Sequence, residues 1–100
     1  CNVGQNTNIQ TGVLLNNSVV ISHDNDLGEC CYLSPGVITS GDVKIGSYTF
    51  IGSGSIVSNH IEIGENAIIG IGTAVTGNLP DQSSAIGNPM RILEKKLIIN

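Results

Sequence analysis

Aliphatic side chains return along this chain at every sixth position. Val3, Ile9, Leu15, Ile21, Leu27, Leu33, Ile45, Ile51, Val57, Ile63, Ile69 and Val75 share one register, and Thr39 alone interrupts it. Ile, Leu and Val are 30 of the 100 residues, so chance would fill about four of these thirteen positions rather than twelve. A period of six fits neither the helical 3.6 nor plain strand alternation. It fits a short strand followed by a tight corner, with one large side chain per segment turned toward a common axis.

A second-order repeat says how the segments close. Leu27-Gly28, Ile45-Gly46 and Ile63-Gly64 recur eighteen residues apart, so three hexads make one triangular coil. Glycine after the aliphatic residue lets the backbone take corner conformations that a side chain would strain. The fifth place of the hexad carries Thr7, Cys31, Thr49, Ser55, Ala67 and Thr73, small enough for a narrow interior. Val13, Val19, Val37, Val43, Ile61 and Leu79 also fall there, so the rule is loose.

Along the chain, residues 3–20 read as a first coil with polar corners and few glycines, a worn edge of the repeat. Residues 21–38 place ionisable groups at their corners, and 39–44 form the weakest hexad. The ladder is most regular from Ile45 to Val75. Asn78-Leu79-Pro80-Asp81 then breaks the pattern with a proline turn. A last strand is expected over Ser83 to Ile86, a turn at Gly87-Asn88-Pro89, and a short helix or irregular strand over Met90 to Leu97 that caps the open end. This divides the chain into a solenoid domain over 1–79 and a C-terminal turn, strand and cap over 80–100.

Composition supports an all-β solenoid. A compact globule of 100 residues would want more large core residues than one Phe, two Tyr and no Trp. Stacked columns bury Ile, Leu and Val without aromatic filler. A net charge of −4 with only four Lys plus Arg argues against nucleic acid as a partner, since that surface needs clustered cations. Arg91, Lys95 and Lys96 are three of those four cations, and a solvated cap accounts for them. Three cysteines, two of them adjacent, fit a reducing compartment better than a disulfide framework. No apolar run approaches the roughly 20 residues that span a bilayer, and no signal peptide is evident. A cytoplasmic protein without membrane partners is expected. The register already runs at Val3 with no initiating Met, which leads us to expect chain upstream of Cys1.

The repeat also sorts out side chains that it does not require. His23 occupies a corner place off the inward column, with Asp24 and Asp26 close by. A carboxylate beside an imidazole holds its tautomer and raises its basicity; an exposed corner histidine is the plain alternative. His60, beside Asn59 on a different coil, reads as a surface residue. Cys31 reads as packing. A covalent route through Cys30 is disfavoured because nothing near it in sequence lowers a thiol pKa.

V-V-I-S-H-D-N-D-L-G, L-S-P-G-V, I-G-S-Y-T-F-I-G-S-G-S and the closing I-G-N-P-M-R together resemble the C-terminal domain of hexapeptide-repeat sugar O- and N-acyltransferases. The most similar group is the sialic acid O-acetyltransferase and bacillosamine N-acetyltransferase type, and the resemblance covers Val3 to Arg91. It implies a left-handed parallel β-helix, assembled as a homotrimer with acetyl-CoA in grooves between neighbouring helices. That hand runs against the usual right-handed crossover. It also implies an upstream nucleotide-fold domain that holds the sugar, which is missing from this sequence.

The resemblance assigns roles residue by residue. His23 is the implied general base and Asp24 orients it. Tyr32 stands where the family usually has a second histidine that binds the thioester end of the cofactor, and a phenol can still donate a hydrogen bond there. Further cofactor contacts are implied near Gly41, Ser53 and Ile71, with Arg91 able to meet a CoA phosphate. The implied chemistry is direct acetyl transfer to an amine or hydroxyl of a sugar or nucleotide-sugar, with a corner N–H stabilising the oxyanion and no metal.

Other readings stay open beside it. A serine-type small-molecule O-acetyltransferase shares the repeat. A hexapeptide-repeat carbonic anhydrase needs three histidines around one metal, and this chain has two. An ice-binding face would want a flat array of threonines, which the corners lack. A non-catalytic trimeric scaffold is compatible with Tyr32 in place of histidine.

Overall fold

Through Val75 each short strand of the protein holds its neighbour one coil away rather than its neighbour in sequence. The computed structural model describes residues 1–93 and contains only β-strands and turns among them. The first face stacks Asn2–Val3, Val20–Ile21, Ile38–Thr39, Ile56–Val57 and Ala74–Val75. The second stacks Asn8–Ile9, Asp26–Leu27, Lys44–Ile45 and Glu62–Ile63, and the third stacks Leu14–Leu15, Tyr32–Leu33, Phe50–Ile51, Ile68–Ile69 and Ser84–Ile86. Pairing within each face is parallel and in register, with Val20 opposite Ile38 and Tyr32 opposite Phe50 eighteen residues on. The result is a left-handed parallel β-helix of about five turns, the architecture expected.

The aliphatic register is the interior column. Leu33, Ile51, Val57, Ile69 and Val75 are completely buried, and Ile21 and Leu27 nearly so. Val3 and Ile9 occupy the same columns but are 47% and 43% exposed, because no rung stacks beneath them. The fifth-place residues are buried too: Cys31, Val37, Val43, Ala67, Thr49, Ser55 and Thr73 line the inside of the corners. Burial pushes the Cys31 thiol up to about 11.

Each regular corner places one residue in the left-handed region. Asn6, Asp24, Asp42 and His60 supply it between the first and second faces, with φ of 57°, 58°, 57° and 61°. Cys30, Tyr48 and Asn66 do so between the second and third faces, and Gly36, Gly54 and Gly72 between the third and first. Asn and Asp tolerate this conformation because a short polar side chain bonds locally. Positions where a close approach excludes a side chain are glycine: a Cβ on Gly46 would lie 2.4 Å from the main chain of Gly64.

Two details depart from the sequence pattern. Leu79 is not a fifth-place residue: it bridges to Ile63 and takes the inward column itself. Ile68 then pairs with Ser84 and Ile69 with Ala85, sixteen rather than eighteen residues on, so the turn through Thr76-Gly77-Asn78 is two residues short. Asn78 and Asp81 cover the shortened corner by accepting from the N–H groups of Glu62 and Glu65, at 2.8 and 2.7 Å. After Gly87-Asn88-Pro89 the chain reverses, and Arg91–Leu93 adds to Ser84–Ile86 as an antiparallel strand. The remainder of the expected cap, with Lys95 and Lys96, lies outside the described residues.

Candidate active site

The outer positions of the strands differ from face to face. On the second face they are Asn8, Asp26, Lys44 and Glu62, a polar column in which Asn8 donates to Asp26 at 2.8 Å. On the first they are Asn2, Val20, Ile38, Ile56 and Ala74, and on the third Leu14, Tyr32, Phe50, Ile68 and Ser84, apolar apart from the terminal Asn2 and Ser84 and the Tyr32 hydroxyl. Ile56 and Leu14 are half exposed. One face is built for water, and two carry apolar stripes.

His23 projects from the corner joining the first face to the polar second face. Its Nδ1 lies 2.8 Å from Asp24 Oδ2, with both side chains more than half exposed. A carboxylate oxygen accepts, so Nδ1 donates and Nε2 keeps its lone pair. The ring rests against Gly41, the residue one coil later: a Cβ there would come within 2.6 Å of Cε1 and 2.7 Å of Nε2. The absent side chain of Gly41 is the seat of the imidazole.

The same corner holds a second histidine–aspartate pair. His60 Nδ1 lies 2.8 Å from Asp42 Oδ2, and the His60 N–H donates to the Gly41 carbonyl at 3.0 Å. The hydrogen bond from His60 is the main influence that draws the Asp42 carboxyl below its ordinary value, and Lys44 and His23 add to it. By sequence alone His60 is a surface residue beside Asn59. Its signal was available, since position 60 is two coils of eighteen beyond Asp24 and so belongs to the Asp24–Asp42 column.

The remaining expected site residues are spread around the prism. Tyr32 lies on the third face, where Asn16 Nδ2 donates to its hydroxyl at 2.8 Å and its ring meets that of Phe50 with centroids 5.3 Å apart. Ser53 and Ile71 stack at the corner between the third and first faces, where the Gly72 N–H donates to the Ser53 carbonyl at 2.8 Å. Ile71 is 72% exposed. Arg91 is exposed on the terminal antiparallel strand. Within one chain, therefore, His23, Asp24 and Gly41 meet, while Tyr32, Ser53, Ile71 and Arg91 stand on other faces. Cys30 is exposed at the corner between the second and third faces, away from either histidine.

The interior beneath His23 is unusually polar. Asn25 is completely buried at a fifth place, and its Nδ2 donates to the His23 carbonyl at 2.8 Å and the Ser40 carbonyl at 3.0 Å. Thr39, the interruption of the aliphatic register, is also fully buried and accepts from the Ser22 N–H at 3.4 Å. Thr7 Oγ1 donates to the Ser22 carbonyl at 3.2 Å.

No protein-family model and no curated protein sequence matches this chain. Solved structures do. A mutant GDP-perosamine N-acetyltransferase from Caulobacter crescentus, in complex with CoA and GDP-perosamine, is 32% identical over 93% of this chain with a TM-score of 0.91. The acetyltransferase domain of PglB from Neisseria gonorrhoeae, in complex with acetyl coenzyme A, is 29% identical over 91% with a TM-score of 0.88. Serine acetyltransferase of the same organism follows at 26% over 85%, TM-score 0.80. The chain spans 44%, 45% and 39% of these three structures. The protein has the hexapeptide-repeat left-handed β-helix fold of the sugar N-acetyltransferases that it matches.

Proposed function

We propose that the protein transfers an acetyl group from acetyl-CoA to an amine or hydroxyl of a sugar or nucleotide-sugar, with His23 as general base. The observation that carries this is the His23–Asp24 pair at 2.8 Å, seated against Gly41 on an exposed corner. Two matched structures hold CoA or acetyl coenzyme A, and one of them also holds GDP-perosamine, which supports the donor and a nucleotide-sugar acceptor.

The geometry supports direct transfer. Nε2 takes the proton of the acceptor nitrogen or oxygen as that atom attacks the thioester carbonyl carbon. The new C–N or C–O bond forms, the C–S bond breaks, and the proton passes from Nε2 to the departing CoA thiolate. The Gly41 N–H lies at the same corner and suits the oxyanion. The Cys30 thiol points to the Thr11 carbonyl at 3.9 Å, and among the described residues no base hydrogen-bonds to it, so no acyl-cysteine is invoked.

A homotrimer completes this reading. The first and third faces carry different apolar columns and the second is polar, the pattern of a ring in which each copy offers one face to one neighbour and another face to the next. Seating the first face against the third of a neighbour brings His23 to the same groove as the neighbouring copy's Tyr32, whose hydroxyl proton is available because the oxygen accepts from Asn16. Ser53, Ile71 and Arg91 are assigned to cofactor contacts in that groove. The three cysteines are unpaired, in keeping with a cytoplasmic setting, and no described helix is long and apolar enough to cross a membrane.

The test is acetyl transfer to a panel of amino- and hydroxy-sugars and their nucleotide derivatives, followed by mass. His23→Ala should abolish transfer while assembly and acetyl-CoA binding persist; undiminished turnover would overturn the assignment. Calorimetric titration with acetyl-CoA separates the enzyme from an inert scaffold, which should give no heat.

A further inference from the structure

We infer that Asn25, buried inside the coil, is a positioning residue that sets both His23 and the Gly41 N–H from beneath. The inference deepens the proposed function and rests on it for its kinetic arm.

The first observation is that Asn25 is out of place as a core residue. Its column continues through Val43 and Ile61, both buried and apolar. A carboxamide there has to be satisfied, yet among the described residues its Oδ1 has no partner. Leaving a buried polar atom unpaired is a net cost to folding. Packing alone would favour valine, as one rung up.

The second observation is where the other end of the amide goes. Its two N–H hydrogens serve the carbonyls of His23 and Ser40, in adjacent rungs on the two sides of the imidazole seat. The Ser40 carbonyl and the Gly41 N–H belong to one planar trans peptide, so they point in opposite directions. Drawing the carbonyl inward to Asn25 turns the Gly41 N–H outward. Pinning the His23 carbonyl fixes the main chain from which the imidazole springs. That carbonyl also accepts from the Asp42 N–H at 3.0 Å, so the two corner rungs are tied together.

The third observation is that inward side chains meet the main chain on both sides of this corner. The Ser22 N–H lies 3.4 Å from the Thr39 hydroxyl one coil later, and Thr7 Oγ1 donates to the Ser22 carbonyl at 3.2 Å. Thr39 and Thr7 bracket Ser22, and Asn25 spans the rungs.

Asn25→Val and Asn25→Thr decide the matter. Valine matches Val43 in the same column, so the coil should form and melt at or above the wild-type temperature. The expected result is a fall in kcat on the order of 10-fold or more with acetyl-CoA KM unchanged, and loss of the nuclear Overhauser contact between His23 Hε1 and the Gly41 α-protons. Threonine keeps one inward donor and should restore part of both. Asn25→Val with kcat within about twofold of wild type and the Overhauser contact intact would overturn the inference. So would a fall in kcat that tracks lost melting temperature while the contact persists. If the wild type transfers no acetyl group, the proposed function fails, and the Overhauser contact in the two variants still decides the role of Asn25.

Discussion

The imidazole of His23 lies on the α-carbon of Gly41, one coil later, so closely that a methyl there would stand 2.6 Å from Cε1. Gly41 has no left-handed φ to explain it, so contact is the reason for glycine. Gly41→Ala should therefore leave the fold within about 0.5 kcal/mol of wild type, because a flexible side chain can move aside. Acetyl transfer should fall on the order of 10- to 100-fold as the base is displaced. Thermal melting and turnover on the same preparation check this.

Asp24 has two duties that one substitution can separate. Its φ of 58° suits asparagine as well as aspartate, so Asp24→Asn should keep the corner. It removes the carboxylate that accepts from His23 Nδ1, and kcat should drop on the order of 10- to 100-fold with acetyl-CoA binding retained. Equal kcat in both proteins would assign Asp24 to the turn alone.

His60 should be legible in the titration of Asp42. The hydrogen bond from His60 lowers the Asp42 carboxyl below 3.8, so this pair favours the folded state above that value. The contribution is lost as pH falls through the folded value. In His60→Ala the Asp42 carboxyl carbon should titrate closer to 3.8 by NMR. Any difference in melting temperature between wild type and variant should vanish under acid conditions.

The three cysteines should divide cleanly. Cys1 and Cys30 are exposed and Cys31 is buried. A thiol reagent at neutral pH should modify two groups in the folded protein and the third only on unfolding. Because burial raises Cys31 to about 11 from 9.0, its contribution to stability is complete below pH 9 and is lost as pH rises toward 11. Cys31→Ala should weaken that alkaline loss, measured by denaturation at pH 8 and pH 10.5.

The six-residue aliphatic period by itself determined the coil, because one inward side chain per segment leaves a solenoid as the way to bury them all. It also isolated His23 and Asp24 as residues the repeat does not need, and the quoted motifs pointed to acetyl transfer. Only the tertiary structure decided what stands beside what across coils. It put Gly41 under His23, brought His60 to Asp42, and moved Leu79 into the inward column through a turn two residues short. It also gave Thr39 a partner, since its hydroxyl stands 3.4 Å from the Ser22 N–H one coil earlier. The physical reason is that a period fixes which way each side chain faces, whereas a hydrogen bond between rungs depends on distances that exist only once the coils are stacked.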